Sequence, residues 1–305
     1  MLQGQKILVT GVGGTVAFPL AKFLATANEV WGAARFSAEG AREKVAGAGI
    51  TPVPIDLETG DLGALPDDFD YVLHLAYFRG GEDSFDRSVR VNAEGCGLVL
   101  QHCRKAKAAL VTSAAGIYSP RTDPLEPARE ESPTGGSFTP WALTAGSAKV
   151  AQEAVARFAA RAFDLPVTIA RLNTVYGPDP RMLPTTHMGA VMAGRDIVAV
   201  NDPYPHTPIH IDDMCDQLAA MLGAASVPAT IVNWGGDEVV SVQQWCAMAA
   251  EWSGRPAQVQ VRHVSGASIG NISDTTRRRQ ITGPCRISFA EGYRAIFDMQ
   301  PTGGG

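Results

Sequence analysis

The chain has 305 residues, 45% of them apolar and 19% charged, with a formal net charge of -5. This is a globular composition, long enough for one large core or two closely joined lobes. The acidic balance and scattered cations exclude a nucleic-acid footprint and a basic membrane-binding face, and the run Arg277-Arg278-Arg279 reads as solvated surface.

In chain order, short apolar runs rich in β-branched residues predict strands over 6–10, 29–34, 51–54, 71–75, 109–112 and 167–171. Helical patterns lie between them, over 16–27, 38–47, 88–105 and 141–163. The alternation predicts an α/β fold with a doubly wound parallel sheet. After about residue 175 proline and glycine become frequent, with helices expected only over 213–222 and 242–253. The expected organisation is a sheet domain over 1–175, a smaller and partly interleaved substrate lobe over 176–300, and a disordered tail over 301–305. Cys96, Cys103, Cys215, Cys246 and Cys285 form no CxxC pair and no regular spacing. They read as reduced thiols, neither a disulfide framework nor a zinc site. The opening MLQGQKILVTGVGGT reads as a strand and turn, and no run approaches about 18 apolar residues, so a cytoplasmic protein with no membrane segment is expected.

Gly11, Gly13 and Gly14, followed by Thr15 and Val16, stand between the first predicted strand and the first predicted helix. Glycine permits the tight turn and lets backbone N–H groups approach a pyrophosphate at the positive end of a helix. The strand before and the βα units after point to dinucleotide binding. Ala17 takes the third small-residue position, and Pro19 is expected to remove about one hydrogen bond from the helix. The second strand ends in GAARFS, with no carboxylate to hold a ribose 2′-hydroxyl. Arg35 stands there instead, with Ser37 and then Arg42, which favours the 2′-phosphate of NADP over NAD, the alternative cofactor.

With these residues in place, TGVGGTVA resembles the TGxxGxxG signature of the extended short-chain dehydrogenase/reductase family, the NAD-dependent epimerase/dehydratase group. In order, Asp56-Leu57, His74-Leu75-Ala76, VNAEG with Asn92, Arg171-Leu172-Asn173, Val175-Tyr176-Gly177-Pro178 and Ile209-His210-Ile211-Asp212-Asp213 are similar to further family motifs. The resemblance spans essentially the whole chain. It implies a Rossmann-type NAD(P) domain with a small C-terminal lobe, and often a homodimer through a helix bundle. It also implies a cofactor set: Gly11 to Val16 on the pyrophosphate, Arg35 and Ser37 on the 2′-phosphate, Asp56 and Leu57 on the adenine, with Leu75, Ala76, Tyr77, Asn92, Lys149 and Leu172 completing the contacts.

The family's chemistry rests on a tyrosine and a lysine in YxxxK, plus a serine or threonine. Free tyrosine titrates near 10, so a neighbouring ammonium must favour its anion. Lys149 matches the lysine and Glu153 follows it, but Ala145 stands at the tyrosine position and Ala114 at the serine/threonine position. Ser113 and Thr112 precede Ala114, so a shift of one residue returns a hydroxyl there; no shift returns a tyrosine four before Lys149. Three readings stay open: non-standard proton transfer, an otherwise ordinary enzyme carrying engineered alanines, and a non-catalytic NADP-binding sensor. Arg79, Tyr118, Asn173 and His187 are candidate substrate contacts, alongside Tyr77. Nucleotide-sugar enzymes of this family usually carry an arginine just before the late strand. PYPHTPIHIDD has none, which favours a smaller or less charged substrate, with Arg181 and Arg195 the nearest cations. His206, His210, Asp212 and Asp213 are read as strand end and helix cap, with no metal expected.

Overall fold

The computed structural model describes residues 2–81, 84–135 and 142–300. The expected start of a helix at residue 141 and the expected tail over 301–305 lie outside the described residues.

Six parallel strands follow the sequence closely: β1 (Lys6–Thr10), β2 (Glu29–Ala34), β3 (Thr51–Pro54), β4 (Tyr71–His74), β5 (Ala108–Ala114) and β6 (Val167–Leu172). Between them run α1 (Ala17–Leu24), α2 (Ala41–Ala46), α3 (Phe85–Val89), α4 (Gly95–His102) and α5 (Ala145–Phe163). The helix expected over 88–105 is divided, because a π-helical turn, Arg90–Glu94, separates α3 from α4. Pro19 stands between the bonds Phe18 N–H to Gly14 O (3.0 Å) and Leu20 N–H to Val16 O (3.5 Å), so the one i→i−4 bond it cannot make is that to Thr15 O.

The later chain forms β7 (Val175–Tyr176), α6 (Leu183–Met192), β8 (Ile197–Ala199), β9 (Pro205–His206), β10 (Ile209–His210), α7 (Ile211–Gly223), β11 (Thr230–Trp234), β12 (Val240–Ser241), α8 (Val242–Ser253), β13 (Val259–Val261), α9 (Thr276–Thr282) and α10 (Phe289–Asp298). The central sheet has the order β11-β6-β5-β4-β1-β2-β3, and every pairing is parallel. β11 therefore carries the chain back into the sheet beyond the boundary expected at 175. In this interleaving, α7 packs on the sheet rather than in the small lobe.

Alternation along the buried strands decides the layers. Ile7 and Val9 on β1 join α1 and α7 in one core, while Leu8 joins Val99 and Leu100 of α4 and Ala156 and Ala159 of α5 in the other. A third core in the small lobe gathers Trp245, Tyr176, Phe289 and Tyr293. Strand order reverses at β1, between β2 and β4, which opens a crevice at the carboxyl ends of these strands.

Candidate functional site: a cleft at the carboxyl edge of the sheet

A cleft of about 880 Å³ follows this crevice. At one end the glycine turn lines it. Gly11 has φ +70, and a Cβ there would meet Ala76 Cα at 2.7 Å, so the β1–α1 turn lies directly against the chain leaving β4. Ala76 N–H donates to Thr10 Oγ1 (3.2 Å), which also bonds His74 Nδ1 (3.0 Å), joining the ends of β1 and β4. A Cβ on Gly13 would have nothing within 4 Å, leaving its backbone open to the cleft. Arg35, exposed just past β2, and Ser37 line the same end. Asp56 and Leu57 line it as well; Asp56 Oδ1 accepts the Glu58 N–H at 2.9 Å, and Leu57 is packed where a Cβ on Gly95 would meet it at 2.8 Å.

At the other end stands Lys149, which is 5% exposed on α5. Its Nζ donates to Thr112 O (2.7 Å) and Gln152 Oε1 (2.8 Å), and lies 4.9 Å from the centre of the Tyr77 ring. Burial pulls its amine down to about 8, against the opposing pull of Cys96 and Glu153. Ala145, one turn earlier on α5, and Ala114, at the end of β5, line the cleft beside it. Ser113 also lines it, and its Oγ is buried without a hydrogen-bond partner.

Both oxygens of Glu153 are committed elsewhere. They grip Arg171 (2.9 and 2.8 Å) in a buried pair joining α5 to β6. Arg171 in turn donates to Tyr118 OH at 3.0 Å, and Tyr118 OH donates to Asn233 Oδ1 at 2.5 Å. Tyr118 is thereby part of a buried brace and does not line the cleft, contrary to its expected role as a substrate contact. The other departures have similarly local causes. His187 lies on α6 in the small-lobe core, its Nδ1 accepting from Trp245 Nε1 at 3.0 Å, and burial pulls it down to about 4. Asn92, 1% exposed, holds the backbone of Phe78 at both ends, accepting its N–H (2.7 Å) and donating to its O (2.9 Å). It steadies the loop after β4 rather than lining the cleft. Asn173 does line it, but its amide is committed: Nδ2 donates to Asn271 O and Ser273 Oγ, and Oδ1 accepts from Thr174 and Thr207 N–H.

Leu75, Ala76, Tyr77, Arg79, Leu172, Thr15 and Val16 are all on the lining. Sequence reasoning did not anticipate Phe36, Gly116, Ala142, Leu183 and Thr186 there, nor Gln152 as the partner of Lys149. The clue for Gln152 was its spacing of three from Lys149, within reach on one helix face. His206 and His210 serve the local structure. His206 bonds Thr174 Oγ1 through Nδ1 (2.7 Å) and packs between Tyr204 and Trp245. His210 caps α7 by accepting Asp212 N–H at 3.2 Å.

The model of the NAD dependent epimerase/dehydratase family matches residues 7–235. Among curated proteins, the chain is 25% identical over 246 residues, 74% of its length and 71% of the relative's, to a Bacillus subtilis (strain 168) protein bearing the name uncharacterized UDP-glucose epimerase YtcB. Among solved structures, the fold is similar to UDP-glucuronic acid 4-epimerase from Bacillus cereus in complex with UDP-glucuronic acid and NAD. That likeness has a TM-score of 0.81 and 22% identity, and covers 96% of this chain and 98% of that one. The Bordetella bronchiseptica enzyme WbmG, in complex with NAD and UDP, gives 0.80 at 21% identity over 97% and 94% of the two chains. A family match across most of the length, on a sheet of this order, places the chain in the NAD-dependent epimerase/dehydratase family.

Proposed function

We propose that the protein is an NAD(P)-dependent oxidoreductase or epimerase/dehydratase-type enzyme acting on a small hydroxyl or carbonyl substrate, with non-standard proton transfer. The observation that carries this reading is the charge of the cleft. In a chain of net charge -5, the described lining holds Arg35, Arg79 and Lys149 against one carboxylate, Asp56, with Arg181 beside them paired to Asp179. Such a surface suits a polyanionic ligand lying along the switch point.

The residues present fit a dinucleotide. The open backbone at Gly13 and the N-terminus of α1 suit the pyrophosphate, with Thr15 and Val16 beside them. Asp56 and Leu57 suit the adenine end, and Leu75, Ala76 and Leu172 the walls. Arg35 with Ser37, and no acid at the end of β2, supports NADP over NAD. NAD is the cofactor named for the solved neighbours. When bound, the nicotinamide supplies the hydride donor or acceptor. Lys149 holds the nicotinamide ribose and keeps a positive charge beside the reacting oxygen, while Ser113 Oγ, unpartnered, offers that oxygen a hydrogen bond.

A small substrate is supported by the committed amide of Asn173, by the pairing of Arg181 with Asp179 at 2.7 Å, and by His206, held neutral by burial. A homodimer belongs to the same proposal, supported by exposed Leu98 and Phe158 on the adjacent helices α4 and α5; light scattering of the purified chain tests it, and a monomer refutes it. One observation favours a non-catalytic sensor instead, namely that Ala145 and Ala114 line the cleft where hydroxyls are expected. Carbonyl reduction by the parent beside the Ala145→Tyr/Ala114→Ser variant separates the readings. Turnover by the parent supports the enzyme. Tight cofactor binding with no turnover in either supports the sensor.

A further inference from the structure

We infer that Tyr77 carries the proton in this cleft, in place of the phenol that position 145 lacks. This assignment rests on the cofactor reading above. Among the described lining residues Tyr77 is the one phenol. Lys149 Nζ lies over its ring, 4.9 Å from the centre, so the ring stands beside the same ammonium from the loop after β4 instead of from α5. It is 38% exposed, open to a ligand in the cleft.

The loop that bears it is tied down. Asn92 clamps both backbone groups of the next residue, Phe78. Asn92 Nδ2 also donates to Ser88 Oγ (3.2 Å), and Ser88 Oγ donates to Thr144 Oγ1 (2.9 Å), which reaches back to Gly80 O (3.5 Å). This buried polar chain joins the loop to the residue just before Ala145. The widened π turn Arg90–Glu94 contains Asn92, and such turns recur at functional sites. The position of Tyr77 is thus fixed relative to the very helix whose tyrosine position is alanine.

The proton balance follows. A carbonyl that gains a hydride from a reduced nicotinamide dinucleotide becomes an alcohol only if its oxygen also gains a proton. The Tyr77 O–H bond breaks, an O–H bond forms on the substrate, and the phenolate left behind is balanced by the Lys149 ammonium until water returns the proton. The reverse direction uses the phenolate as base. Burial raises the Tyr77 phenol above its ordinary value, with Arg79 pulling the other way, so the resting group is protonated as an acid must be.

The test compares the parent, Tyr77→Phe and Tyr77→Phe/Ala145→Tyr, using NADPH with diacetyl for turnover and NADPH fluorescence for binding. Tyr77→Phe is expected to lower kcat by about a hundredfold or more while changing NADPH affinity less than about twofold. The double variant is expected to regain turnover. A Tyr77→Phe enzyme within about threefold of the parent overturns the assignment, as does a double variant no faster than the single. Failure of the cofactor reading has a different signature: the parent gives no fluorescence change with NADPH or NADH. Then, or if diacetyl is not reduced, ultraviolet titration of the Tyr77 phenol decides, taken as parent minus Tyr77→Phe. The phenol is expected to titrate at higher pH in Lys149→Met, and an unchanged titration overturns the assignment.

Discussion

The two ends of the cleft are built to different standards. The glycine-turn end leaves its groups unspent: the backbone at Gly13 is open, and Arg35 is exposed on the lining. The lysine end is already occupied with itself, since Lys149 is bound to Thr112 and Gln152 and the Asn173 amide is saturated. The first end is organised for a ligand that arrives whole. The second holds a charge, the unpartnered Ser113 hydroxyl and the Tyr77 ring, with alanines where hydroxyls are expected. Holding a dinucleotide and moving a proton are thus separable demands on one fold, and mutations at the two ends should separate them.

Among the substitutions Gly11→Val should have the largest effect, because its φ of +70 disfavours a side chain and its Cβ would collide with the Ala76 backbone at 2.7 Å. A loss of roughly 3 kcal/mol or more in urea unfolding, with cofactor binding abolished, is expected. Normal stability and binding would mean that the turn does not need its tight approach to β4. Lys149→Met comes next and tests the other end alone. Removing the buried ammonium ends its desolvation but leaves Gln152 Oε1 without its donor, so stability should fall by only about 1–3 kcal/mol while turnover falls by about a hundredfold; equal loss of fold and activity would make Lys149 a structural residue. Arg35→Ala should weaken NADPH binding by about tenfold and NADH binding hardly at all. Equal weakening of both removes the case for NADP.

Stability is graded by pH as well, independently of any substitution. Burial lowers His74 and His206 to about 3 and His187 to about 4, from an ordinary 6.5, with Lys149 adding to the effect on His74 and His187 to that on His206. Between those values and 6.5 the unfolded chain binds more protons than the folded one. This stability is therefore complete above 6.5 and declines as pH falls toward 4, by about 1.4 kcal/mol per pH unit for each histidine at the steepest. Urea midpoints at pH 7 and pH 5 measure it, and a flat profile contradicts neutral buried imidazoles.

β1, β4, β5 and β6 were legible because both their faces are covered, so KILVT or VTIARL reads as a largely apolar run. β11, TIVNW, was not read, since its partner β6 lies about sixty residues earlier and its surroundings are rich in proline and glycine. α6 escaped because its apolar and polar residues follow little amphipathic period, with Thr185 buried beside Pro184, Met188 and Val191. The cleft residues on the glycine turn were readable because backbone chemistry dictates their identity. Tyr118, His187 and Asn92 were misplaced because a sequence names a polar side chain without saying whether the protein itself consumes it. Their partners, Asn233, Trp245 and the Phe78 backbone, are distant in sequence or carry no side-chain signature.

The return of β11 to the sheet has a consequence for any attempt to take the molecule apart. A fragment ending at residue 175 would lack both β11 and α7. It would leave β6 as a bare edge with unpaired N–H and C=O groups, and would strip Met214, Leu218 and Met221 from the core that covers Ile7 and Val9. Such an edge invites association with other chains. The first 175 residues are therefore not a removable module, and libraries or fusions built on this fold should place their joints elsewhere, with the strand of the final third kept in the same chain.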